Sequence, residues 1–326
     1  MGSKKKLLSV DIDLNKPITK QLLKQHQPSS DILILDALAV VLRQMVIAGR
    51  RPRTLQSMEV DVLNYVRITG HTSIAEITAE SIYLWLDNLG DVKPVTRRSR
   101  LKTLKSFLGK CNENGWLPVR YWKDINIKVT EEVKASASNK DVELLLSLLD
   151  VTDFVQLRDA TAVLLMYHTG LRIATVGGLE TSHIDFTEGC LNLPGSIMKN
   201  HKPFKVPLTA QLLQYLSVLL DTNDKIREHT GKKNEFVFIS RRGTPVQSSV
   251  THNALQQRLS VYSKQYGIKN INAHALRRAF ATNLMKKGAP VALISKALSH
   301  SDLAVTTKYL YLSQNEVAES LKDYMD

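Results

Sequence analysis

The sequence predicts a mainly helical protein of two domains, the second of which carries a small antiparallel β-sheet. Three observations support this fold class. Apolar residues recur at three- and four-residue steps through much of the chain, which is the spacing of an amphipathic helix. A polar stretch without this periodicity, residues 126–137, separates two halves. Three short apolar runs between residues 184 and 208 have the length and composition of strands.

The N-terminal half begins with a polar stretch, residues 1–30, which is expected to form an arm or a short helix. An almost continuous apolar pattern from Ile32 to Val46 then predicts a buried helix that ends near Gly49. Thr54 is expected to cap a second helix, and a third helix is expected over residues 79–89.

A fourth helix is expected to start at Thr96 and to carry a basic face. Arg98, Lys102 and Lys105 follow one another at i, i+4 and i+7, so their side chains share one side of the helix while leucines occupy another. We expect this face to be the main DNA-contacting surface of an all-helical N-terminal domain, residues 31–125.

The second half is expected to be mainly helical with a small sheet. Residues 126–137 are interpreted as an interdomain linker too irregular to pack. Ser138 is expected to cap the next helix, because Asp141 stands three residues further on. Another helix is expected over residues 157–168. Strands are expected near Ile184, at 190–193, at 204–208 and, as a short strand-like stretch, at 236–239.

The composition favours a polyanionic partner. Lys and Arg number 44 against 31 Asp and Glu, which gives a formal net charge of +13, and a basic balance of this kind suits binding to nucleic acid. Cys111 and Cys190 stand far apart without the spacing of a zinc site. No apolar run reaches the roughly 18 residues that a membrane span needs. We therefore expect a reduced, cytoplasmic protein that neither enters a membrane nor is secreted.

Four short motifs carry residues suited to phosphodiester chemistry. They are Thr169-Gly170-Leu171-Arg172, His274-Ala275-Leu276-Arg277, Leu298-Ser299-His300 and Thr306-Thr307-Lys308-Tyr309. Arg172 and Arg277 offer planar guanidinium groups that can each bind two phosphate oxygens. A phenol has an ordinary pKa of about 10, so it needs a base and a positive pocket to attack a phosphate at neutral pH. His274 and His300 are the candidate bases.

In these motifs and their order the chain resembles the tyrosine recombinase and integrase family. The family pattern is an arginine in T-G-L-R, a lysine on a β-hairpin, H-x-L-R, a histidine in an L-G-H-like box, and a tyrosine nine residues beyond it. Tyr309 lies nine residues after His300. Lys199 matches the hairpin lysine, because it stands eight residues before Pro207. The resemblance covers residues 138–326, which it implies to be the catalytic domain.

The resemblance implies a site-specific DNA recombinase, closer to the simple two-domain Xer-like or Cre-like members than to integrases with an added arm-binding domain. Tyr309 would attack the scissile phosphate to give a 3′-phosphotyrosine link, and strand exchange would pass through a Holliday junction in a homo-tetramer on two double-stranded DNA sites. The C-terminal tail would serve assembly. No metal or other cofactor is implied. Accessory proteins that set directionality, a mobile element, and the bacterial cytoplasm or nucleoid form the expected context.

The family's residue roles carry over with stated alternatives. Arg172, Arg277, His274 and His300 would stabilise the transition state, and His274 is also placed to take the phenolic proton. Lys199 would be the general acid, with Lys202 and Lys205 as rivals, and Tyr311 competes with Tyr309. Arg278 is expected to point away from His274.

Two residues depart from the family pattern, which leaves rival functions open. Thr175 stands where the family usually has an acidic residue, and Ser299 replaces a usual glycine. They are the sole support for a DNA-binding protein whose catalysis has decayed. A type IB topoisomerase-like enzyme, which shares the chemistry, is the other alternative.

Overall fold

The structure, a computed structural model, describes residues 32–130, 134–247 and 253–299. The chain divides into two compact units, Met1–Glu131 and Glu132–Asp326, and each is considered by itself. The described residues confirm the predicted fold class, because they are mainly helical and contain one small antiparallel sheet. The expected arm over residues 1–30 lies outside the described residues. No described helix is long and apolar enough to cross a bilayer.

The first unit packs four described helices around one apolar core. They are α1 (Ile34–Ile47), α2 (Pro52–Thr69), α3 (Ala79–Asp87) and α4 (Pro94–Glu113). The aromatic side chains of Tyr65, Trp85 and Phe107 are fully buried between them. The four predicted helices are therefore confirmed.

The predicted starts of α2 and α4 are wrong. Thr54 does not cap α2, because the helix begins two residues earlier at Pro52, and α4 begins at Pro94 instead of Thr96. Proline suits the first helical position, since its fixed φ is already helical and the N–H it lacks would have no intrahelical acceptor there. A proline just before a periodic segment was the sequence signal for both starts.

Lys105 is a structural residue of the first unit. Its ammonium group donates hydrogen bonds to the carbonyl oxygens of Lys123, at 2.8 Å, and Ile125, at 2.9 Å. Burial lowers its pKa against the opposing influence of Asp124. The side chain thereby attaches the segment that follows α4 to that helix, whereas Lys102 on the same helix is exposed. The expected basic face of three residues thus has one member bound to the protein's own backbone.

The second unit is built around a helix that is buried on nearly all sides. In chain order the unit contains α5 (Asn139–Leu148), α6 (Phe154–Thr169), α7 (Ile173–Gly177), β1 (Ile184–Asp185), β2 (Cys190–Leu193), β3 (Phe204–Pro207), α8 (Ala210–Thr230), α9 (Ala254–Gln265), α10 (Ala273–Lys286) and α11 (Val291–Ala297). Every residue of α6 from Leu157 to Met166 is buried, with α8 and α10 packed against it. Ser138 caps α5 as predicted, since its hydroxyl accepts the Asp141 N–H at 3.0 Å.

The predicted antiparallel sheet is confirmed in the order β1-β2-β3. Leu191 pairs with Ile184 on one side and with Val206 on the other. The stretch expected to be strand-like at 236–239 is not a strand of this sheet. It forms isolated bridges from Phe236 to Glu180 and from Ile239 to Pro245.

A buried ionic cluster fixes α6 to α9. The Asp159 carboxylate is 2% exposed and accepts hydrogen bonds from Arg158, at 3.0 and 2.6 Å, from Arg258, at 2.9 Å, and from the Tyr262 hydroxyl, at 2.8 Å. Two guanidinium groups therefore share one carboxylate. Sequence reasoning did not find this cluster.

Replacing Lys105 by methionine is expected to destabilise the first unit. The substitution keeps an unbranched apolar stem but removes the donor for two carbonyl groups, a loss of about 1 kcal/mol. All three tryptophans of the chain, Trp85, Trp116 and Trp122, lie in this unit, so urea unfolding followed by tryptophan fluorescence reports on it alone.

The matched control is Lys102→Met on the exposed side of the same helix, which should change stability by less than about 0.5 kcal/mol. Equal effects of the two substitutions would contradict the structural role of Lys105.

Candidate active site

Arg172 stands at the junction between α6 and α7. The helix α6 ends at Thr169, and Gly170 turns the chain with a left-handed φ of 64°. Leu171 is buried behind this turn. Arg172 then precedes α7, and its carbonyl oxygen accepts the Val176 N–H at 3.0 Å. A rigid turn between two helices therefore positions this first candidate arginine.

Arg277 connects this turn to the end of α11. It lies on α10 and is 3% exposed. One terminal nitrogen, Nη1, donates to the carbonyl oxygen of Gly170, and the other, Nη2, donates to the carbonyl oxygen of Leu298. Three segments that are distant in sequence meet at this one guanidinium group. They carry the T-G-L-R, H-A-L-R and L-S-H motifs.

The approach to Arg277 requires a glycine at position 170. A Cβ atom built there would lie 2.4 Å from Cδ1 of Phe280 and 3.1 Å from Cδ2 of Leu298. Its positive φ also favours glycine. A larger residue at position 170 would require Phe280 and Leu298 to move, beside the carbonyl that binds Arg277.

His274 shares the positive cluster with both arginines. The residue is exposed at the surface, but partial desolvation lowers the pKa of its imidazole, and the charges of Arg278, Arg277, Lys134 and Arg172 lower it further, in that order. The structure therefore brings together three of the predicted site residues, Arg172, His274 and Arg277. A histidine with a lowered pKa is neutral at pH 7, so it can accept a proton while the surrounding cations attract a phosphate.

The expectation that Arg278 points away from His274 is wrong. Its charge is the largest electrostatic influence on the His274 pKa, because residues four apart on a helix lie on the same face. Its guanidinium also donates to the Ala135 carbonyl oxygen, from Nε at 3.1 Å and from Nη2 at 2.6 Å. The i, i+4 spacing was the sequence signal that could have found this role.

Part of the expected linker also packs against α10. Ala137 is buried, and its N–H donates to the Ala275 carbonyl oxygen at 3.1 Å. Together with the bond from Arg278 to Ala135, this contact holds residues 135–137 along the first turns of α10. The sequence had indicated a segment too irregular to pack. Its composition is indeed irregular, but its backbone groups find partners on α10, and Lys134 is thereby held near His274.

Lys199 lies in the connection between β2 and β3. Its side chain is exposed, as are those of its rivals Lys202 and Lys205. The loop is attached to α7 through Thr175, whose hydroxyl donates to the Ile197 carbonyl oxygen at 3.2 Å. The structure thus connects the Lys199 loop to the helix that follows Arg172.

The backbone conformation at the end of α11 explains why the family usually has a glycine at the position of Ser299. Ser299 has a left-handed φ of 51°, a conformation that costs side chains other than glycine roughly 1–2 kcal/mol. Serine therefore occupies a glycine-like position at the cost of some strain. His300, Tyr309 and Tyr311 lie outside the described residues, as does the C-terminal tail.

The match to a known protein family decides the identity. The phage integrase family matches residues 137–316, more than half of the chain. The chain belongs to the phage integrase family. The match spans all the motifs from Thr169 to Tyr309, and it includes the cluster of Arg172, His274 and Arg277.

Similar proteins agree with this membership. The chain is 28% identical over 253 residues to the tyrosine recombinase XerC of Chlamydia muridarum, covering 76% of this chain and 77% of that protein. It is 26% identical over 289 residues to the tyrosine recombinase XerD of Chlamydia trachomatis, covering 85% of this chain and 91% of that protein.

Solved structures agree in fold. The Tn1549 transposon integrase in complex with transposon right end DNA matches with a TM-score of 0.69 at 16% identity, covering 90% of this chain and 99% of that one. A lambda integrase dimer bound to a core site matches with a TM-score of 0.66 at 16% identity, covering 90% of this chain and 83% of that one. At this level of identity the likeness concerns the fold alone.

Replacing Gly170 by alanine is expected to destabilise the second unit by more than backbone strain alone. The matched control is Gly231→Ala, because Gly231 also follows a helix, has a φ of 65° and has nothing within 4 Å of its added Cβ. The control should cost about 1 kcal/mol, and Gly170→Ala about 1–3 kcal/mol more, since Phe280 and Leu298 must move. Unfolding followed by circular dichroism, with the tryptophan transition of the first unit recorded separately, measures both. Equal losses would contradict the close approach.

Replacing Arg278 by glutamine is expected to raise the pKa of His274. The change removes the largest of four repulsive charges, but the value should stay below the ordinary 6.5 or so, because burial is the larger cause. Titration of the imidazole by NMR, assigned with His274→Asn, measures the shift. Arg241→Gln serves as the control, since that exposed arginine pairs with Asp153. An unchanged or lower pKa in the Arg278 variant would contradict the cluster.

Proposed function

We propose that this member of the phage integrase family is a tyrosine-type site-specific recombinase that cuts and rejoins DNA strands. The observation that carries the proposal is the cluster of Arg172, His274 and Arg277, which combines a neutral imidazole with guanidinium groups. The family match and the tyrosine recombinases among its relatives support the same function. They give no support to the topoisomerase-like enzyme or to the decayed DNA-binding protein.

The proposed reaction is a transfer of a phosphodiester bond to a tyrosine. The Tyr309 oxygen attacks the scissile phosphorus, and the bond from phosphorus to the 5′ oxygen breaks. His274 takes the phenolic proton, and Lys199 gives a proton to the departing 5′ oxygen. Arg172 and Arg277, with His300, stabilise the charge on the phosphate oxygens. The products are a 3′-phosphotyrosine link and a free 5′ hydroxyl.

The position of Arg277 suits this role. A guanidinium group has five N–H donors in one plane, so two bonds to backbone carbonyls are compatible with a further bond to a phosphate oxygen. Its burial also limits screening by solvent and salt, which strengthens its effect on a nearby anion. Arg277 thus both organises the site and contributes positive charge to it.

Rejoining follows by the reverse reaction with the 5′ hydroxyl of another strand. Because the phosphotyrosine link retains the energy of the broken bond, the exchange requires no nucleotide hydrolysis. We propose a Holliday junction intermediate in a homo-tetramer on two double-stranded DNA sites. A lambda integrase tetramer bound to a Holliday junction has a similar fold, with a TM-score of 0.65 at 16% identity, which supports the proposal. Accessory proteins that set directionality remain an expectation from the resemblance.

The first unit is proposed to bind the same DNA half-site. We assign residues 31–125 to a core-DNA-binding domain, 126–137 to the linker and 138–326 to the catalytic domain. The net charge of +13 supports DNA as the partner. On α4 we retain Arg98 and Lys102 as proposed DNA contacts, whereas Lys105 is already bound to backbone carbonyls. Bacterial relatives support a location in the bacterial cytoplasm or nucleoid.

Replacing Tyr309 by phenylalanine is expected to abolish covalent attachment to DNA while leaving binding intact, because one oxygen atom is removed. The matched control is Tyr311→Phe, which should still attach. Incubation with sheared genomic DNA, followed by recovery and sequencing of covalent complexes, measures attachment and names the target site.

Attachment by the Tyr309 variant, with loss in the Tyr311 variant, would overturn the choice of nucleophile. Strand exchange between two copies of the recovered site then separates a recombinase from a topoisomerase-like enzyme, which would relax supercoiled DNA without joining two sites.

A further inference from the structure

Thr175 occupies a position that ties two parts of the proposed site together. It lies on α7, three residues after Arg172, and is 3% exposed. Its hydroxyl donates to the Ile197 carbonyl oxygen at 3.2 Å. Ile197 stands two residues before Lys199. One partly buried hydrogen bond therefore joins the helix that follows Arg172 to the loop that carries the proposed general acid.

The loop leaves little slack between Ile197 and Lys199. The N–H of Met198 donates to the Gly195 carbonyl oxygen at 3.1 Å, and the N–H of His201 donates to the Met198 carbonyl oxygen at 3.2 Å. Met198 itself is 2% exposed. A Cβ atom added to Gly195 would lie 2.4 Å from the His201 carbonyl oxygen, so the two sides of the loop are in close contact. A shift of Ile197 is therefore expected to move Lys199 with it.

The chemistry of the contact explains why a threonine serves here. An ionised carboxylate only accepts hydrogen bonds, so the acidic residue that the family usually has at this position could not donate to the Ile197 carbonyl. A hydroxyl can. The departure at position 175 thus creates a bond to the lysine loop, and it need not be a sign of lost catalysis.

We propose that Thr175 is a positioning residue for Lys199. Its hydroxyl holds the lysine loop on α7, so that Lys199 and Arg172 act on the same phosphate from fixed positions. The inference rests on the proposed function, in which Lys199 protonates the departing 5′ oxygen. Thr175 itself takes no part in bond breaking.

The test compares two DNA substrates built on the recovered target site. One has the natural oxygen at the scissile 5′ position, and the other has sulfur, a leaving group that needs no proton. Thr175→Val keeps the shape of the side chain but removes the donor. We expect it to slow single-turnover cleavage of the oxygen substrate about tenfold, which is part of the roughly 10²- to 10⁴-fold that a general acid contributes. Cleavage of the sulfur substrate and DNA affinity should stay unchanged.

Three further variants isolate the effect. Thr175→Ser restores a donor and should restore cleavage of the oxygen substrate. Thr181→Val removes another threonine hydroxyl that donates to a carbonyl, that of Glu235 at 3.1 Å, and should leave the ratio of the two rates unchanged. Thr175→Val added to Lys199→Ala should slow cleavage no further, because the group that Thr175 positions is already absent. Circular dichroism verifies that each variant is folded.

The possible failures are distinguishable. If sulfur does not rescue Lys199→Ala, the proposed role of Lys199 is wrong, and the inference falls with it. If sulfur rescues Lys199→Ala but not Thr175→Val, or if Thr175→Val cleaves the oxygen substrate at the normal rate, the proposed function stands and the positioning role is overturned. An additive loss in the double variant would overturn the positioning role as well.

Discussion

The second unit depends on how one buried positive charge is solvated. Arg277 is almost fully enclosed, and a charge removed from water must find polar partners inside the protein. Two of its partners are the carbonyl oxygens of Gly170 and Leu298, at the ends of α6 and α11. The need to satisfy this guanidinium therefore draws together the segments that carry the other candidate residues. Solvation of the arginine and assembly of the site have the same physical cause.

The same unit uses arginines in two contrasting ways. Around Asp159, two guanidinium groups share one carboxylate, so both cations have an anionic partner and the cluster holds α6 to α9. Around His274, the four charges that shift its pKa are all positive. Partial desolvation acts on the imidazole pKa in the same direction, so a neutral proton acceptor coexists with strong cations. The second cluster is suited to binding an anion.

Patterns among neighbouring residues predicted most of the helices and strands but few of the contacts between residues far apart in the sequence. Helix periodicity, strand runs and the cap formed by Ser138 and Asp141 are properties of neighbouring residues, and the structure contains them, apart from the first turns of α2 and α4 and the strand-like stretch at 236–239. The two bonds of Lys105 and the cluster of Asp159 join residues far apart in the chain, which periodicity cannot register. For the site, the order of motifs indicated Arg172, His274 and Arg277 together. The i, i+4 spacing of His274 and Arg278 could have indicated that their side chains are close. The bond from Arg278 to Ala135 could not be predicted, because its acceptor is a backbone carbonyl that leaves no side-chain pattern in the sequence.

The acceptors of Arg277 belong to the main chain, and this has a consequence for how such a site evolves. A carboxylate partner disappears with a single codon change, whereas a carbonyl oxygen survives every substitution that preserves the path of the backbone. Selection then acts on the turn at position 170 more than on side-chain identity around the arginine. The side chains around Arg277 can therefore change without deleting either acceptor. The charge of Arg277 can thus keep its position while the side chains around it are substituted.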